Sequence, residues 1–352
     1  MKRSQAQISA GSSSVDLLAL AEYVDQFSAK TVAVLGDFVA DEFQYGEISR
    51  VSREAPVLIL RHRETRLVPG GGANAANNLA ALGARVLPVT AVGQDSAGEA
   101  LVAYFKEKRM DVSGILRIQG RTTPTKTRFL AGWAHTVGQQ VLRVDREPQG
   151  PLSPANHKRI EQLLHAKLRT AQALAVSDYG FGIASPRLVR QVRSKRHSLV
   201  VTLDARYGLA SYAKSGVTSA TPNEAELEAL HHTAIGSNLE ELAHCGHATL
   251  SAMRLRALLV TRGRDGMALF ESPARITHIP IHGSNQAVDV TGAGDTVLAA
   301  YTLALASGAP PLEAAHIANI AGGLVVMKRG TATVTRHELL EAIRSEASGA
   351  GG

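Results

Sequence analysis

Apolar positions along this chain follow two rhythms. "TVAVLGD" (31–37) is a continuous apolar, β-branched run of strand length ending in Gly-Asp, whereas residues 15–27 carry apolar positions at helical spacing. The two kinds of segment then take turns. "NAANNLAALG" predicts a helix, "RVLPVTAVG" a strand, "AGEALVAYFKEKRM" a helix, "ALAVSD" a strand and "SPRLVRQVRSK" a helix. "SLVVTLDA" predicts a strand, "NEAELEALHH" a helix, and "ALLVTRG" a strand followed by "GMALFES"; "TVLAAYTLALASG" (296–308) predicts a helix. Uninterrupted apolar strands alternating with helices mark a sheet covered on both faces. The expected class is therefore α/β, a doubly wound, mostly parallel sheet joined by crossover helices.

Two stretches break the rhythm. "FQYGEISRVSREAPVLILRHRETRLVPG" and "TPTKTRFLAGWAHTVGQQVLRVDRE" are strand-like with no helix inside them. They are expected to form a small antiparallel sheet standing off the main one, a β lid near 43–68 and 122–146. The polar, small residues 1–13 are expected to be disordered. The organisation predicted is an N-terminal extension (1–28), one domain (29–345) and a disordered tail (346–352).

Composition narrows the class. The chain has 352 residues, 45% hydrophobic and 20% charged, as in water-soluble globular proteins. No apolar run is long enough for a membrane span, and "LLALA" near the start is too short for a signal peptide. The net charge of +7 suits an anionic small substrate, an anionic surface or nucleic acid. The cations are scattered, however, and "RLVRQVRSKRH" (187–197) reads as a solvated helix face, so no nucleic-acid or membrane partner is expected. Cys245 is the only cysteine, which excludes an internal disulfide and fits a reducing cytoplasm. Its setting, "HCGH", is too small for a tetrahedral metal site.

In a doubly wound sheet, ligands collect at the carboxyl ends of the strands. The residues expected there are Asp37 through Asp41, Gly70 to Asn74, Ser177-Asp178, Asp204, Thr221 to Asn223, Thr261 to Gly263 and Thr291 to Asp295. Gly, Asp and Asn suit hydroxyl groups and phosphates; taken singly, each is also ordinary turn chemistry. Neither G-x-x-x-x-G-K-[ST] nor a G-x-G-x-x-G after the first strand is present. "AVDVTGAGDT" (287–296) is the sharper signal. Its glycines admit close backbone approach, and the helix start that follows favours an anion. A carboxylate at that place makes sense as a group acting on a neighbouring hydroxyl.

"DVTGAGDT" resembles the C-terminal signature of the ribokinase-like (PfkB) sugar kinases. "PGGGANAANNLAALGA" is similar to their N-terminal Gly-Gly signature and "TPNEAE" to their N-x-x-E segment; the resemblance runs from about residue 31 to 340. "GDFVADEFQYG", "RVSREAPV", "TKTR", "QQVLRVDRE", "SDYGFG", "LLVTRGRDGMALF" and "KRGTATVT" bring it closer to the heptose-7-phosphate kinases of ADP-heptose synthesis. The adenylyltransferase domain fused to the kinase in bifunctional members is not expected in this chain. Gly180, Phe181 and Gly182 stand where those kinases show a Lys after Ser-Asp-Tyr, Arg53 where Pro is usual, and Arg206 where Lys is usual.

The resemblance implies ATP-dependent phosphorylation of a sugar hydroxyl on a ribokinase-like fold. Asp295 is implied as the base, with an anion hole from the Gly292, Ala293 and Gly294 backbone. Asp41, Gly70, Gly71 and Asn74 are implied to hold sugar hydroxyls, with Lys126, Arg128 and Arg143 reaching in from the lid. Lys126 and Arg128 share a strand face, which reads equally as a solvated face. Asp37 suits either the acceptor or local backbone capping. Asn223 and Glu226 are implied to organise Mg²⁺ and phosphates through water, and Asn223 also fits the N-cap of the following helix. Thr261 and Gly263 would border the nucleotide and Asn319 the adenine. Asp289 and Thr291 would sit at a monovalent-cation site, implying K⁺ activation. A homodimer through the β lid is implied. The expected acceptor is heptose 7-phosphate, phosphorylated at its anomeric hydroxyl. Another sugar or sugar phosphate, or a non-catalytic sugar- or nucleotide-binding regulator, stays open. The missing Lys counts against a phosphorylated acceptor unless Arg53, Arg128 or Arg143 replaces it.

Overall fold

The computed structural model of the chain describes residues 15–132, 139–272, 275–284 and 286–349. The strands are β1 (Thr31–Gly36), β2 (Phe38–Val51), β3 (Leu58–Gly71), β4 (Arg85–Gly93), β5 (Ile115–Ile118), β6 (Thr125–Gly132), β7 (Gln139–Arg146), β8 (Ala173–Asp178), β9 (Val200–Ala205), β10 (Ser219–Ala220), β11 (Ala257–Thr261), β12 (Met267–Ser272) and β13 (Arg275–Ile279). The helices are α1 (Leu17–Asp25), α2 (Gly72–Ala81), α3 (Ser96–Glu107), α4 (Pro154–Leu168), α5 (Pro186–Lys195), α6 (Glu224–His231), α7 (Leu239–Met253), α8 (Ala293–Ala306), α9 (Pro311–Val326) and α10 (Arg336–Ala347).

Nine strands form the main sheet in the order β13-β12-β11-β10-β9-β8-β1-β4-β5. β1 pairs in parallel with both β4 and β8, and parallel pairing continues from β8 to β11 and from β4 to β5; at the other edge β12 pairs antiparallel with both β11 and β13, so β12 alone runs against the rest. Side chains of β1 alternate between two cores, as a strand period of two demands. Val32 and Val34 join the core under α1, α2, α3, α8, α9 and α10. Ala33 and Leu35 join the core under α4, α5, α6 and α7. The doubly wound reading of the sequence thus describes the molecule.

Other expectations need correction. The lid is a separate four-stranded sheet, β3-β2-β6-β7, but it is mixed: β2 pairs antiparallel to β3 and parallel to β6. β2 and β6 both leave the body in the same sense, so their neighbouring edges cannot run antiparallel. Of the segment 1–28, the described residues from 15 onward are no mere extension, because Leu20, Ala21 and Val24 of α1 and Phe27 fill the core. The segment 346–352 begins as the end of α10, which buries Leu339, Leu340 and Ile343. The disorder expected for 1–13 lies outside the described residues. Among the described residues, no helix is long and apolar enough to cross a membrane.

Candidate active site

The carboxyl ends of β1, β8, β9, β10 and β11 meet the starts of α2 and α8 and the root of the lid. Gly292, in the left-handed region at φ 78°, caps α8. A Cβ there would lie 2.5 Å from Asn74 Nδ2, so only glycine fits. A Cβ on Gly294 would meet nothing within 4 Å. The first glycine therefore serves the protein's own packing, and the second leaves room for something else. The amide of Ala293 donates to the Val290 carbonyl at 3.2 Å, while those of Gly292, Gly294 and Asp295 find no acceptor among the described residues. The donors offered at this helix start are those three.

Asp295, in the first turn of α8, is buried. Asn74 Nδ2 donates to its Oδ2 at 2.8 Å and the Tyr179 hydroxyl to its Oδ1 at 3.4 Å. Asn74 is held in that orientation. Asn78, one turn along α2, donates to Asn74 Oδ1 at 3.1 Å, and Thr296 donates to Asn78 Oδ1 at 2.9 Å. Burial pushes the Asp295 carboxyl up to about 7, against the pull of the Asn74 hydrogen bond. Burial also raises the Tyr179 phenol well above its ordinary range, so it stays a donor.

At the lid root, Asp41 is buried and paired with Arg128 at 2.6 Å. Gly70 is obligatory beside it, since a Cβ would lie 2.3 Å from Asp41 Oδ2. Gly71, at φ 55°, passes against Tyr179 and the Asp37 carbonyl. Lys126 lies over the Tyr179 ring, 5.1 Å from its centroid, and Arg143 is paired with Asp145. Asp37 accepts from the amides of Tyr179, Phe181 and Ile183 at 2.9, 3.0 and 3.1 Å. Of its two readings, backbone capping is the one seen. Its buried carboxyl, raised to about 6 by desolvation, fixes the loop that carries Tyr179.

Asn223 and Glu226 form a reciprocal capping box on α6, at 2.8 and 2.9 Å. Glu226 also faces Asp204 and Arg206, and burial pushes both carboxyls up. Among the described residues, no group of three or more His, Cys, Asp or Glu is arranged to hold a metal ion. Asp289 accepts from the amides of Thr291 and Gly330, each at 2.9 Å; burial opposes ionisation there, but these bonds hold the carboxyl below its usual range.

Two cavities reach the neighbours of Asp295, one at Gly294 and the other at Tyr179. One of about 710 Å³ is lined by Thr261, Gly263, Asn319 and Gly294, among others. Asn319 is fixed there by donating to the Pro280 carbonyl at 2.8 Å. The other, of about 520 Å³, is lined by Lys126, Arg143, Tyr179 and Arg206, among others. Arg53 reaches neither. It is exposed in the turn between β2 and β3, twelve residues beyond Asp41, roughly 40 Å along the strand. Tyr179, Arg206 and Asn78 join the site although no sequence motif marks a role for them, and Asp204 joins as the strand-end carboxylate expected there. The signal available for Tyr179 was its place directly after the strand-end Ser-Asp.

A buried carboxylate at a glycine-capped helix start, between a cavity large enough for a nucleotide and a smaller polar one, defines a phosphotransferase site. Residues 29–338 match the pfkB family carbohydrate kinases, and the chain belongs to that family: it is a phosphotransferase acting on a sugar hydroxyl. More particularly, it is similar to the Bifunctional protein HldE of Geobacter sulfurreducens, 39% identical over 87% of this chain and 61% of that one. It is likewise similar to the HldE of Mesorhizobium japonicum, 38% identical over 91% of this chain and 63% of the relative. The chain thus spans less than two thirds of these relatives. In fold it is similar to Arabidopsis thaliana ribokinase complexed with ribose and ATP (TM-score 0.69, 21% identity, 90% of this chain and 98% of that one). It is similar too to Escherichia coli phosphofructokinase-2 in complex with potassium (TM-score 0.71, 17% identity, 91% and 99%).

Proposed function

We propose that the protein phosphorylates heptose 7-phosphate at its anomeric hydroxyl, giving the 1,7-bisphosphate. The observation that carries the kinase chemistry is the arrangement around Asp295: a carboxylate oriented by Asn74 and Tyr179 beside unengaged amides. Asp41, with Gly70, Gly71 and Asn74, holds acceptor hydroxyls. Asp295 takes the proton of the hydroxyl under attack, and its pKa near neutrality suits a general base. The oxygen so released bonds to phosphorus as the bond to the leaving diphosphate breaks. The amides of Gly292, Gly294 and Asp295 neutralise charge on the phosphoryl oxygens.

The fit to ATP rests on the open Cβ position of Gly294 and the 710 Å³ cavity that it lines. Bound ATP supplies the transferred γ-phosphoryl group. For Mg²⁺, hard oxygen donors are present in Glu226 and Asp204, too few for a dedicated cage, which suits an ion that keeps several waters. Bound there, Mg²⁺ supplies charge neutralisation for the phosphates. Asp289 and Thr291 are proposed to border a K⁺ site, and equal activity in sodium-only and potassium buffers removes that reading. The protein is proposed to act in the cytoplasm as a homodimer joined through the lid. Seven-carbon specificity rests on the closer sequence resemblance and on similarity to the HldE proteins. Its test is an ATP-consumption panel of sugars and sugar phosphates. Turnover of a free pentose or hexose, with none of heptose 7-phosphate, overturns the acceptor but leaves the kinase.

A further inference from the structure

The cavity of about 520 Å³ beside Tyr179 holds more positive charge than its own carboxylates match. Arg128 is committed to Asp41 and Arg143 to Asp145. Lys126 and Arg206 make no ion pair among the described residues, and both converge on one ring: Lys126 Nζ and the Arg206 guanidinium carbon lie 5.1 and 5.9 Å from the Tyr179 centroid. Lys126 comes from the lid strand β6, and Arg206 follows β9 directly, with its amide tied to the Asp178 carbonyl at 2.9 Å. Two like charges drawn to one ring face repulsion that an aromatic quadrupole offsets only in part. Burial, together with Arg206, Arg143 and Arg128, pushes the Lys126 ammonium below its ordinary range, against the pull of Asp41.

The loop that follows Tyr179 brings no cation of its own. Gly180, Phe181 and Gly182 all line the cavity. The amide of Phe181 is taken by Asp37, and its carbonyl accepts from Arg121 at 2.8 Å. A Cβ on Gly182 would meet nothing within 4 Å, so the space before the loop is open. Glu147, also at the cavity, is exposed and forms no ion pair among the described residues.

We infer that Lys126 and Arg206 form the clamp for a phosphate already present on the acceptor, and that Arg206 is its specificity-determining residue. The inference rests on the kinase reading and deepens it. Tyr179 joins the two ends of the acceptor. Its hydroxyl touches the base, and its ring lies against the clamp, so the existing phosphate sits remote from the hydroxyl attacked. The planar guanidinium takes two phosphate oxygens and Lys126 adds a point charge, which serves a dianion without a cation in the Gly-Phe-Gly loop.

The test is calorimetry without ATP, which separates the clamp from catalysis. Heptose 7-phosphate and the unphosphorylated heptose are titrated into the wild type and into Arg206→Ala, Arg206→Lys, Lys126→Ala and Asp295→Asn. Wild type and Asp295→Asn should bind the phosphorylated sugar more tightly than the free sugar. Arg206→Ala and Lys126→Ala should each lose roughly ten- to hundredfold in affinity for the phosphorylated sugar alone. Arg206→Lys should recover part of the loss. Arg206 is exposed, so its variants should fold, as melting temperatures close to wild type will show. No preference for the phosphorylated sugar in the wild type, or a preference that survives both alanine substitutions, overturns the clamp. If Asp295→Asn then still abolishes turnover of some free sugar, the kinase reading stands without it.

Discussion

Asn74 donates its side-chain amide to Asp295 Oδ2 at 2.8 Å, across 221 residues of sequence. The bond joins the first turn of α2 to the first turn of α8, and it stabilises the ionised carboxylate. Asn74→Ala removes that donor, so the Asp295 pKa should rise further above 7. In kcat/KM against pH, the acidic limb should move up by about one unit, with the loss greater at pH 6 than at pH 8.5. An unshifted limb means that Asp295 is not the group titrating.

Asp295→Asn should bind nucleotide normally and lose about 10²–10⁴ in kcat. It should also be more stable than the wild type in alkaline buffer. The folded carboxyl is raised from 3.8 to about 7, so the stability associated with its neutral form is complete below the unfolded value and lost as pH rises through the folded one. Denaturant titrations should show little gain near pH 4 and a gain on the order of 4 kcal/mol at pH 8. A gain that is the same at both pH values contradicts the assignment.

The two glycines of the helix start should respond in opposite ways to alanine. Gly292→Ala meets both a left-handed backbone and Asn74 Nδ2, and should cost about 1–3 kcal/mol of stability together with most activity. Gly294→Ala has room for its methyl group and a better helix propensity, so stability should hold or rise by about 0.5–1 kcal/mol. Activity should nevertheless fall, because the methyl group enters the space reserved for the phosphates. Melting curves paired with ATP turnover separate the two effects.

Asp37→Ala should release the Tyr179 loop, leaving three amides without their acceptor. Each buried amide left unmade costs about 1–3 kcal/mol. Melting temperature should fall, and acceptor KM should rise more than nucleotide KM, because Tyr179 belongs to the acceptor side.

Val141, Leu142 and Val144 of β7 are 46%, 55% and 43% exposed on the lid. If lids join two copies, Leu142→Asp with Val144→Asp should convert the dimer to monomer in sedimentation velocity. A wild type that is already monomeric at micromolar concentration removes the lid dimer.

Much of this site is visible in one dimension because its elements are local. The glycines and carboxylates of 36–41, 70–74 and 291–295 fall where one element ends or the next begins, and turn chemistry is written in residue type. The nine-stranded order is less visible, since β5, β10 and β13 have only 4, 2 and 5 residues and no periodicity to detect. Pairing partners are non-local. Nothing in "TPTKTR" says that β6 lies parallel to β2, and nothing in "DAR" places Arg206 against Tyr179. For the same reason Arg53 is a misleading candidate from sequence: its motif is near Asp41 in order but far from it along the hairpin.

The lid has almost no slack where it meets the body. Asp37 alone separates β1 from β2, and β3 runs straight into α2, so the hairpin and the acceptor residues share one root. A strand of 14 residues is an arm of about 46 Å. A tilt of about five degrees at Asp41 and Gly70 therefore sweeps the tip, where Arg53 lies, through about 4 Å. The hairpin has the geometry of a mechanical amplifier: an adjustment at its root too small to disturb packing around Asp295 becomes a displacement of several ångströms at its tip.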